Sequence, residues 1–291
     1  MKLPSISRRA ILGVGAVAVA RSQAPTSALT AAALIERIKK EVGVPWRTET
    51  VDKIVSGNAN TPVKGVATTM MATLDVVQRA AAEGKNFVIT HEPTFYSHLD
   101  STDPLAQDPV YEFKADFLRK HDMVIFRFHD HWHARRPDGI ATGMAQALGW
   151  EKYVDAQKSV RLYQLPSTPL SKLVKDMEAS LGAKTIRVVG DPKLQVRSVM
   201  GTWGYNNLMP AAKILNRDDV DVLLIGEARE WELIEYAADL VTMGKKKALI
   251  VLGHIASEQS GMKYCADWLK SFVTEVPVGY VPAAEPFWKP A

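Results

Sequence analysis

Short apolar runs alternate with longer amphipathic segments along most of the chain. The apolar runs are typical of buried strands, and the amphipathic segments have the three-to-four-residue spacing of helices. Predicted strands cover residues 63–69, 86–90, 123–128, 160–165, 185–189, 197–200, 221–225 and 247–252. Predicted helices cover residues 31–42, 73–83, 109–120, 137–148, 170–181, 229–243 and 257–272. This order predicts an α/β fold with a mainly parallel sheet and helices on both faces.

The pattern divides the chain into four regions. They are a signal peptide at 1–24, a first α/β half at 25–152, a smaller α+β insertion at 153–199 and a second α/β half at 200–291. The insertion is predicted because its strands are shorter and because Pro166 and Pro169 interrupt the apolar pattern.

The amino terminus has the pattern of an export signal. A basic start precedes an apolar run from Ala10 to Ala20, and small residues suited to signal peptidase follow. The run is shorter than the roughly 20 residues that a spanning helix needs. The paired Arg8 and Arg9 favour the twin-arginine route, and an ordinary Sec signal is the alternative. We therefore expect a bacterial protein that is periplasmic or otherwise exported and has no stable membrane span in its mature form.

Charge argues against a nucleic-acid partner. The formal net charge is +4, but four of the 36 basic residues lie in the signal region, which has no acidic residue. The remaining 32 basic residues are matched by 32 acidic ones. A chain without a basic excess lacks the electrostatic basis for binding DNA or RNA, so we expect a small-molecule substrate instead.

Histidine and carboxylate side chains follow three of the apolar strands. His91-Glu92 ends the first, His129-Asp130-His131-Trp132-His133 follows the second, and His254 with Glu258 follows the last. The carboxyl ends of parallel strands share one edge of a sheet, so these groups should meet there. Because Cys265 is the single cysteine, a metal site must use histidine and carboxylate ligands, which zinc, manganese and iron accept.

Each part of this pattern has an ordinary structural alternative. A lone histidine after a strand is usually a solvated loop residue, and this is our interpretation of His98 and His121. Three imidazoles within residues 129–133 are harder to explain structurally. His254 and Glu258 are four residues apart at a helix start and can face one point. No HExxH motif, phosphate-binding loop or dinucleotide fingerprint is present.

With these motifs in view, the chain resembles the Nif-three-like dinuclear metal proteins, also known as type 2 GTP cyclohydrolase I. The resemblance spans about residues 45–285, and its most specific part is the closing Gly253-His254 and Ser257-Glu258. It implies two similar α/β lobes, two adjacent metals and a homo-oligomer, often a hexameric ring.

Residue by residue, the resemblance places metal ligands or their close neighbours at His91, His129, His254 and Glu258. Two positions depart from the family pattern. Glu92 stands where the family has a second histidine, and His133 stands where it has an aspartate. The exchange preserves the number of ligands but puts a GTP-type substrate in doubt. Asp130 is a further candidate for a carboxylate that bridges two metals.

The predicted activity is metal-dependent hydrolysis of an unknown small molecule. One or two divalent ions per chain, either zinc, manganese or iron, would activate water, and Glu92, Glu227 or Asp130 would act as general base. The alternative is a metal-binding or storage protein without catalysis. An open coordination position that faces a pocket distinguishes the two, because structural sites are closed.

Overall fold

Two five-stranded sheets form the framework of the protein. The computed structural model describes residue 1, residues 28–288 and residue 290, so the predicted signal peptide lies outside the described residues apart from its first residue. The first sheet contains, in spatial order, β1 (Ile54–Ser56), β4 (Val124–Arg127), β3 (Phe87–Glu92), β2 (Val66–Met71) and β10 (Val278–Tyr280). The second contains β5 (Leu162–Pro169), β7 (Gln195–Gly201), β8 (Val222–Ile225), β9 (Ala248–Val251) and β6 (Arg187–Val189).

Most strand pairs are parallel, as the sequence predicts for an α/β fold. In the first sheet β4, β3, β2 and β10 run in parallel, and β1 pairs antiparallel with β4 at the edge. In the second sheet β7, β8 and β9 run in parallel, while β5 and β6 form antiparallel edges. The mixed α/β fold is therefore confirmed, and the antiparallel pairs are confined to the edges.

Nine α-helices connect and cover the strands in the described part of the chain. They are α1 (Ala31–Glu41), α2 (Leu74–Ala82), α3 (Pro109–Lys120), α4 (Asp130–Ala134), α5 (Gly139–Leu148), α6 (Leu170–Leu181), α7 (Leu208–Leu215), α8 (Glu235–Thr242) and α9 (His254–Lys270). A π-helical turn at Glu230–Ile234 leads into α8, so the helix predicted over residues 229–243 has two geometries. Among the described residues, no helix combines the length and apolarity needed to cross a bilayer.

Each sheet contains strands from more than one of the regions predicted from the sequence. The stretch predicted as an insertion, residues 153–199, supplies β5, β6 and most of β7 to the second sheet. At the other end, β10 returns to the first sheet and pairs with β2. The second half therefore completes the sheet of the first half, which ties the two sheets together.

Helices α5 and α9 join the two sheets through one large hydrophobic core. Strand β8 has a hydrophobic core on each of its two faces. Val222 and Leu224 face the large core, while Leu223 and Ile225 face a smaller core under α7 and α8. Helix α9 also packs against β2 and β10 of the first sheet. Its amino-terminal end is thereby fixed between strands of both sheets.

The crossing of α5 and α9 depends on two glycines. A Cβ on Gly143 would lie 2.6 Å from Cα of Gly261, and a Cβ on Gly261 would lie 2.6 Å from Cα of Ile140. The two helix backbones can approach this closely only without side chains at the crossing. This contact sets the position of α9, which carries His254 and Glu258.

Candidate metal centre

The six predicted metal ligands converge where strand ends of both sheets meet. They come from the end of β3, from the β4–α4 segment and from the first turns of α9, and they are His91, Glu92, His129, His133, His254 and Glu258. Two overlapping groups could each hold a metal ion, with all ligand atoms within 4.8 Å of one another. One group is His91, His129 and His133, and the other is His91, Glu92 and Glu258.

The two carboxylates stand at the centre of the four imidazoles. Oε1 of Glu92 lies 3.6 Å from Nε2 of His129 and 3.3 Å from Nε2 of His254. Oε2 of Glu258 lies 3.2 Å from Nε2 of His254 and 3.7 Å from Nε2 of His91. The other Glu258 oxygen lies 3.9 Å from Nε2 of His133. Every imidazole therefore turns the same nitrogen toward the carboxylates.

The opposite nitrogen of each imidazole has an oxygen partner outside this cluster. The Nδ1 contacts are His91 to Phe128 O at 3.3 Å, His129 to Asp130 at 3.0 Å, His133 to Asp138 at 3.2 Å and His254 to Glu227 at 3.3 Å. A carboxylate or carbonyl at Nδ1 fixes the ring orientation and directs the Nε2 lone pair to a metal. This is the arrangement that metal-binding histidines have in proteins.

Three buried atoms of the cluster have no hydrogen-bond partner among the described residues. They are Nε2 of His91, Nε2 of His254 and Oε2 of Glu258. Leaving such groups unsatisfied away from water costs free energy, so a ligand is the expected partner. The donor set of imidazole nitrogens and carboxylate oxygens fits a divalent metal ion.

The cluster also perturbs its own protonation equilibria. Burial lowers the pKa of His91 well below its usual value, and positive charge on His129 and His133 acts in the same direction. Burial opposes charge on His254 as well, but the nearby carboxylates of Glu227, Glu258 and Glu92 outweigh it and raise its pKa to about 12. A divalent cation between these carboxylates would supply the positive charge that the His254 proton otherwise provides.

His131 lies apart from the cluster although it stands between two candidate ligands. Its Nδ1 lies 2.6 Å from Oδ2 of Asp52, and its Nε2 accepts a hydrogen bond from the Arg47 backbone at 2.9 Å. Its ring stacks on Trp46 with centroids 3.7 Å apart. Both nitrogens are therefore occupied, and the role of His131 is to pack α4 against the segment that precedes β1.

Asp130 is bound on the side of His129 away from the carboxylates. Besides His129, it accepts hydrogen bonds from the Thr50 hydroxyl and the Val51 backbone. These bonds, with His129 first, outweigh partial burial and hold the pKa of Asp130 far below its usual value. Asp130 is thus a fixed acceptor for His129 and is not part of either group of potential metal ligands.

Arg127 is a buried cation that supports the carboxylate of Glu92. One guanidinium nitrogen lies 3.3 Å from Oε2 of Glu92, and another lies 3.8 Å from Asp100. Its Nε donates to the carbonyl of His91, and its side chain also bonds the carbonyl of His98. With one Glu92 oxygen bound to Arg127, the other remains directed at His129 and His254.

A cavity of about 790 Å³ opens onto the cluster. Glu92, His129, His133, His254 and Glu258 line it, and so does Glu227, whose side chain is half exposed. This volume lies in the range of small-molecule sites, about 300–1,000 Å³.

The second sheet closes the cavity through Gly204 in the β7–α7 loop. Gly204 has a φ of +60°, and a Cβ at this position would lie 2.6 Å from Oε1 of Glu258. Its backbone nitrogen donates to Ser257 Oγ at 3.0 Å, which links the loop to α9. Only glycine allows this loop to pass so close to the ligands.

Several of these supporting residues escape prediction from the sequence. Asp52 lies far from His131 in the sequence, and no local pattern marks it. Asp138 is separated from His133 by a short segment that contains Pro137. Asp138 carries one signal, because its side chain caps α5. Arg127 carries another, since an arginine inside the apolar strand β4 has to find buried partners.

The two remaining histidines have the ordinary exposed positions that the sequence suggested. His121 is exposed at the end of α3, and His98 is exposed in a loop at the edge of the cavity. Cys265 is buried in α9, and burial raises the pKa of its thiol. A buried, protonated thiol is a poor nucleophile and a poor metal ligand.

Comparison with known sequences supports the resemblance inferred from the motifs. The sequence profile of the Duf34/NIF3 (NGG1p interacting factor 3) family matches residues 28–284. A protein of Chlamydia pneumoniae named GTP cyclohydrolase 1 type 2 homolog is 23% identical over 242 residues, which cover 79% of this chain and 88% of the relative.

Solved structures show the same fold at low sequence identity. A hypothetical protein of Staphylococcus aureus is similar with a TM-score of 0.70 and 17% identity, covering 90% of this chain and 100% of that protein. A NIF3-related protein of Bacillus cereus gives a TM-score of 0.70 and 15% identity, covering 89% and 98%. At these identities the likeness concerns the fold alone.

Proposed function

This chain belongs to the Duf34/NIF3 family, and we propose that it is an exported, divalent-metal-dependent hydrolase that acts on a small molecule. The observation that carries the proposal is the orientation of the four histidines. Each has an oxygen partner at Nδ1 and turns Nε2 toward Glu92 or Glu258 at the base of a cavity.

The metal would be held by the six residues of the cluster. His91 belongs to both groups of potential ligands, so the site has room for one ion or for two adjacent ions. Nitrogen and oxygen ligands suit zinc, manganese and iron. A bound divalent ion would act as a Lewis acid and lower the pKa of water to about 7.

Glu227 is the general base in this proposal. It lines the cavity, its side chain is half exposed, and it belongs to neither group of potential ligands. One of its oxygens accepts from Nδ1 of His254, which leaves the other free to take a proton from the attacking water. The other two candidates have different positions: Glu92 faces the ligand nitrogens, and Asp130 is bound by Thr50 and Val51.

The cavity also favours catalysis over metal storage. A structural metal site is closed by its ligands, whereas this cluster faces a space large enough for a small molecule. The name of the Chlamydia pneumoniae relative makes GTP one of the compounds to test.

A hydrolase screen with a matched variant tests this function. Metal-loaded protein is assayed against phosphoesters, carboxylic esters, amides and GTP, in parallel with Glu227→Gln. We expect one class to be hydrolysed and Glu227→Gln, assayed at saturating metal because Glu227 also orients His254, to lose about 100-fold or more in kcat, since general-base catalysis contributes about 10²–10⁴-fold. A metal-loaded protein inactive on every class would favour storage.

We further propose that the mature protein is periplasmic and forms a homo-oligomer, with the hexamer as the form that the family resemblance implies. Light scattering coupled to size-exclusion chromatography gives the oligomeric state directly. A monomer at micromolar concentration would contradict this part of the proposal.

A further inference from the structure

The cavity has polar groups without partners beyond those of the metal cluster. Oγ1 of Thr94, Oγ1 of Thr202 and Nε1 of Trp203 are buried atoms with no hydrogen-bond partner among the described residues. All three residues line the cavity that contains the candidate ligands. Thr94 belongs to the loop after β3, and the other two follow β7, so both sheets contribute.

Lys114 of α3 lines the same cavity and is almost fully buried. Its Nζ donates to the Thr94 carbonyl at 2.7 Å and lies 5.4 Å from the centroid of the Tyr96 ring. Within the described residues no carboxylate comes within 4.0 Å of this nitrogen. Burial lowers its pKa to about 8, with Asp100 acting in the opposite direction, so the ammonium form still predominates at pH 7.

Other cations near the cavity differ from Lys114 because they are paired. Arg127 has Glu92 and Asp100 as partners, and Arg161 has Asp138. Buried charges are normally compensated by an opposite charge. An ammonium group that lacks a carboxylate partner and faces a cavity is therefore the expected position for an anionic ligand.

We propose that Lys114, Thr94, Thr202 and Trp203 form a subsite for an anionic, oxygen-rich group of the substrate, either a carboxylate or a phosphate. The ammonium and the indole N–H are donors only, and the two hydroxyls can donate, so the set favours a ligand group with acceptors alone. This inference rests on the proposed function only in treating the cavity as the substrate site. It narrows the substrate to a small molecule that carries an anionic group in addition to the hydrolysed bond.

Anion binding to full-length protein stripped of metal by a chelator tests the subsite. Inorganic phosphate and malonate are the probes, and isothermal titration calorimetry measures their dissociation constants. Lys114→Met removes the charge and keeps the apolar stem, and Thr94→Val removes the hydroxyl at constant size. Lys175→Met, which removes an exposed lysine of α6, is the matched control.

We expect Lys114→Met to weaken binding of the preferred probe by at least about 10-fold, the usual value of a charge-assisted hydrogen bond. Thr94→Val should weaken it less, and Lys175→Met should leave it unchanged. The probe that binds more tightly identifies the group as phosphate or carboxylate. Equal affinity in wild type and Lys114→Met, or no binding of either probe to wild type, would overturn the subsite.

The metal content of the same preparations, measured before the chelator is added, separates this inference from the proposed function. If the protein binds no metal, the hydrolase proposal fails, and anion binding to the metal-free chain still decides the subsite. If Lys114→Met retains full metal content while losing the anion, the subsite is independent of the metal ligands.

Discussion

Nε2 of His254 lies 3.2 Å from Oε2 of Glu258, one turn later on α9, while Nδ1 of the same ring lies 3.3 Å from Glu227. The imidazole is thus held between a carboxylate of its own helix and one that follows β8. Because α9 begins at His254, three residues before the predicted start, both side chains project from the first turns of the helix toward the ends of the first sheet.

Purified mature protein should contain one or two divalent metal ions per chain. The reason is the convergence of four imidazoles and two carboxylates, three of whose buried atoms have no protein partner. Elemental analysis after purification without chelators measures the content. Protein that contains no metal and binds none on titration with zinc, manganese or iron would refute the metal centre.

His254→Ala should weaken metal binding far more than His121→Ala. His254 contacts both central carboxylates, whereas His121 is an exposed residue at the end of α3 that packs against Phe117. Even the loss of a residue that orients a ligand costs about 10–100-fold in metal affinity, and the loss of a ligand should cost more. Competition titrations with a metal indicator compare the two variants, and equal affinities would remove His254 from the site.

Gly204→Ala should reduce both stability and metal affinity, while Gly182→Ala should reduce stability alone. Both glycines have positive φ, +60° and +62°, so alanine costs about 1–2 kcal/mol of unfolding free energy at either position. A Cβ at Gly204 also displaces Glu258, whereas the space around Gly182 is open. Denaturant unfolding and metal titration measure the two effects. Unchanged metal affinity in Gly204→Ala would show that the loop adapts without moving the ligand.

Lys114→Met should change how stability depends on pH. Burial lowers the pKa of Lys114 to about 8 in the folded protein, against about 10.4 in an unfolded chain. Between these values the unfolded chain binds more protons, so the contribution of Lys114 to stability rises with pH. The free energy of unfolding of Lys114→Met, relative to wild type, should therefore be highest below pH 8.

The difference in unfolding free energy between Lys114→Met and wild type should fall by about 3 kcal/mol between pH 8 and pH 10.5, because each unit of pKa shift corresponds to about 1.4 kcal/mol. Urea denaturation at a series of pH values measures it, and Lys175→Met serves as the exposed control with a constant difference. A parallel pH profile for Lys114→Met and wild type would mean that Lys114 is not desolvated in solution.

Replacing Arg8 and Arg9 together by lysine should block export. The pair precedes a moderately apolar segment, the combination that the twin-arginine route requires. Cell fractionation of an epitope-tagged precursor should show it retained in the cytoplasm, while a variant with lysine at Arg21 alone should be exported. Normal export of the double variant would indicate the Sec route.

The sequence by itself determined most elements and the residue types that meet in the candidate site. Helices α3 and α6 have the predicted bounds, because amphipathic spacing and end signals are local properties; Asp108, for instance, caps α3 through two backbone N–H groups. The three strand-end groups of histidine and carboxylate were visible for the same reason. Parallel strands place their carboxyl ends together, so the motifs alone predicted that His91, His129 and His254 converge.

Only the tertiary structure decided which atoms face the centre. Alternation within residues 129–133 does not reveal that His131 turns to Asp52 while its neighbours turn to Glu92 and Glu258. The return of β10 to the first sheet and the pairing of β5 with β7 likewise depend on contacts between distant segments. Such pairings reflect packing of the whole chain around a shared core, and neither spacing nor local propensity encodes them.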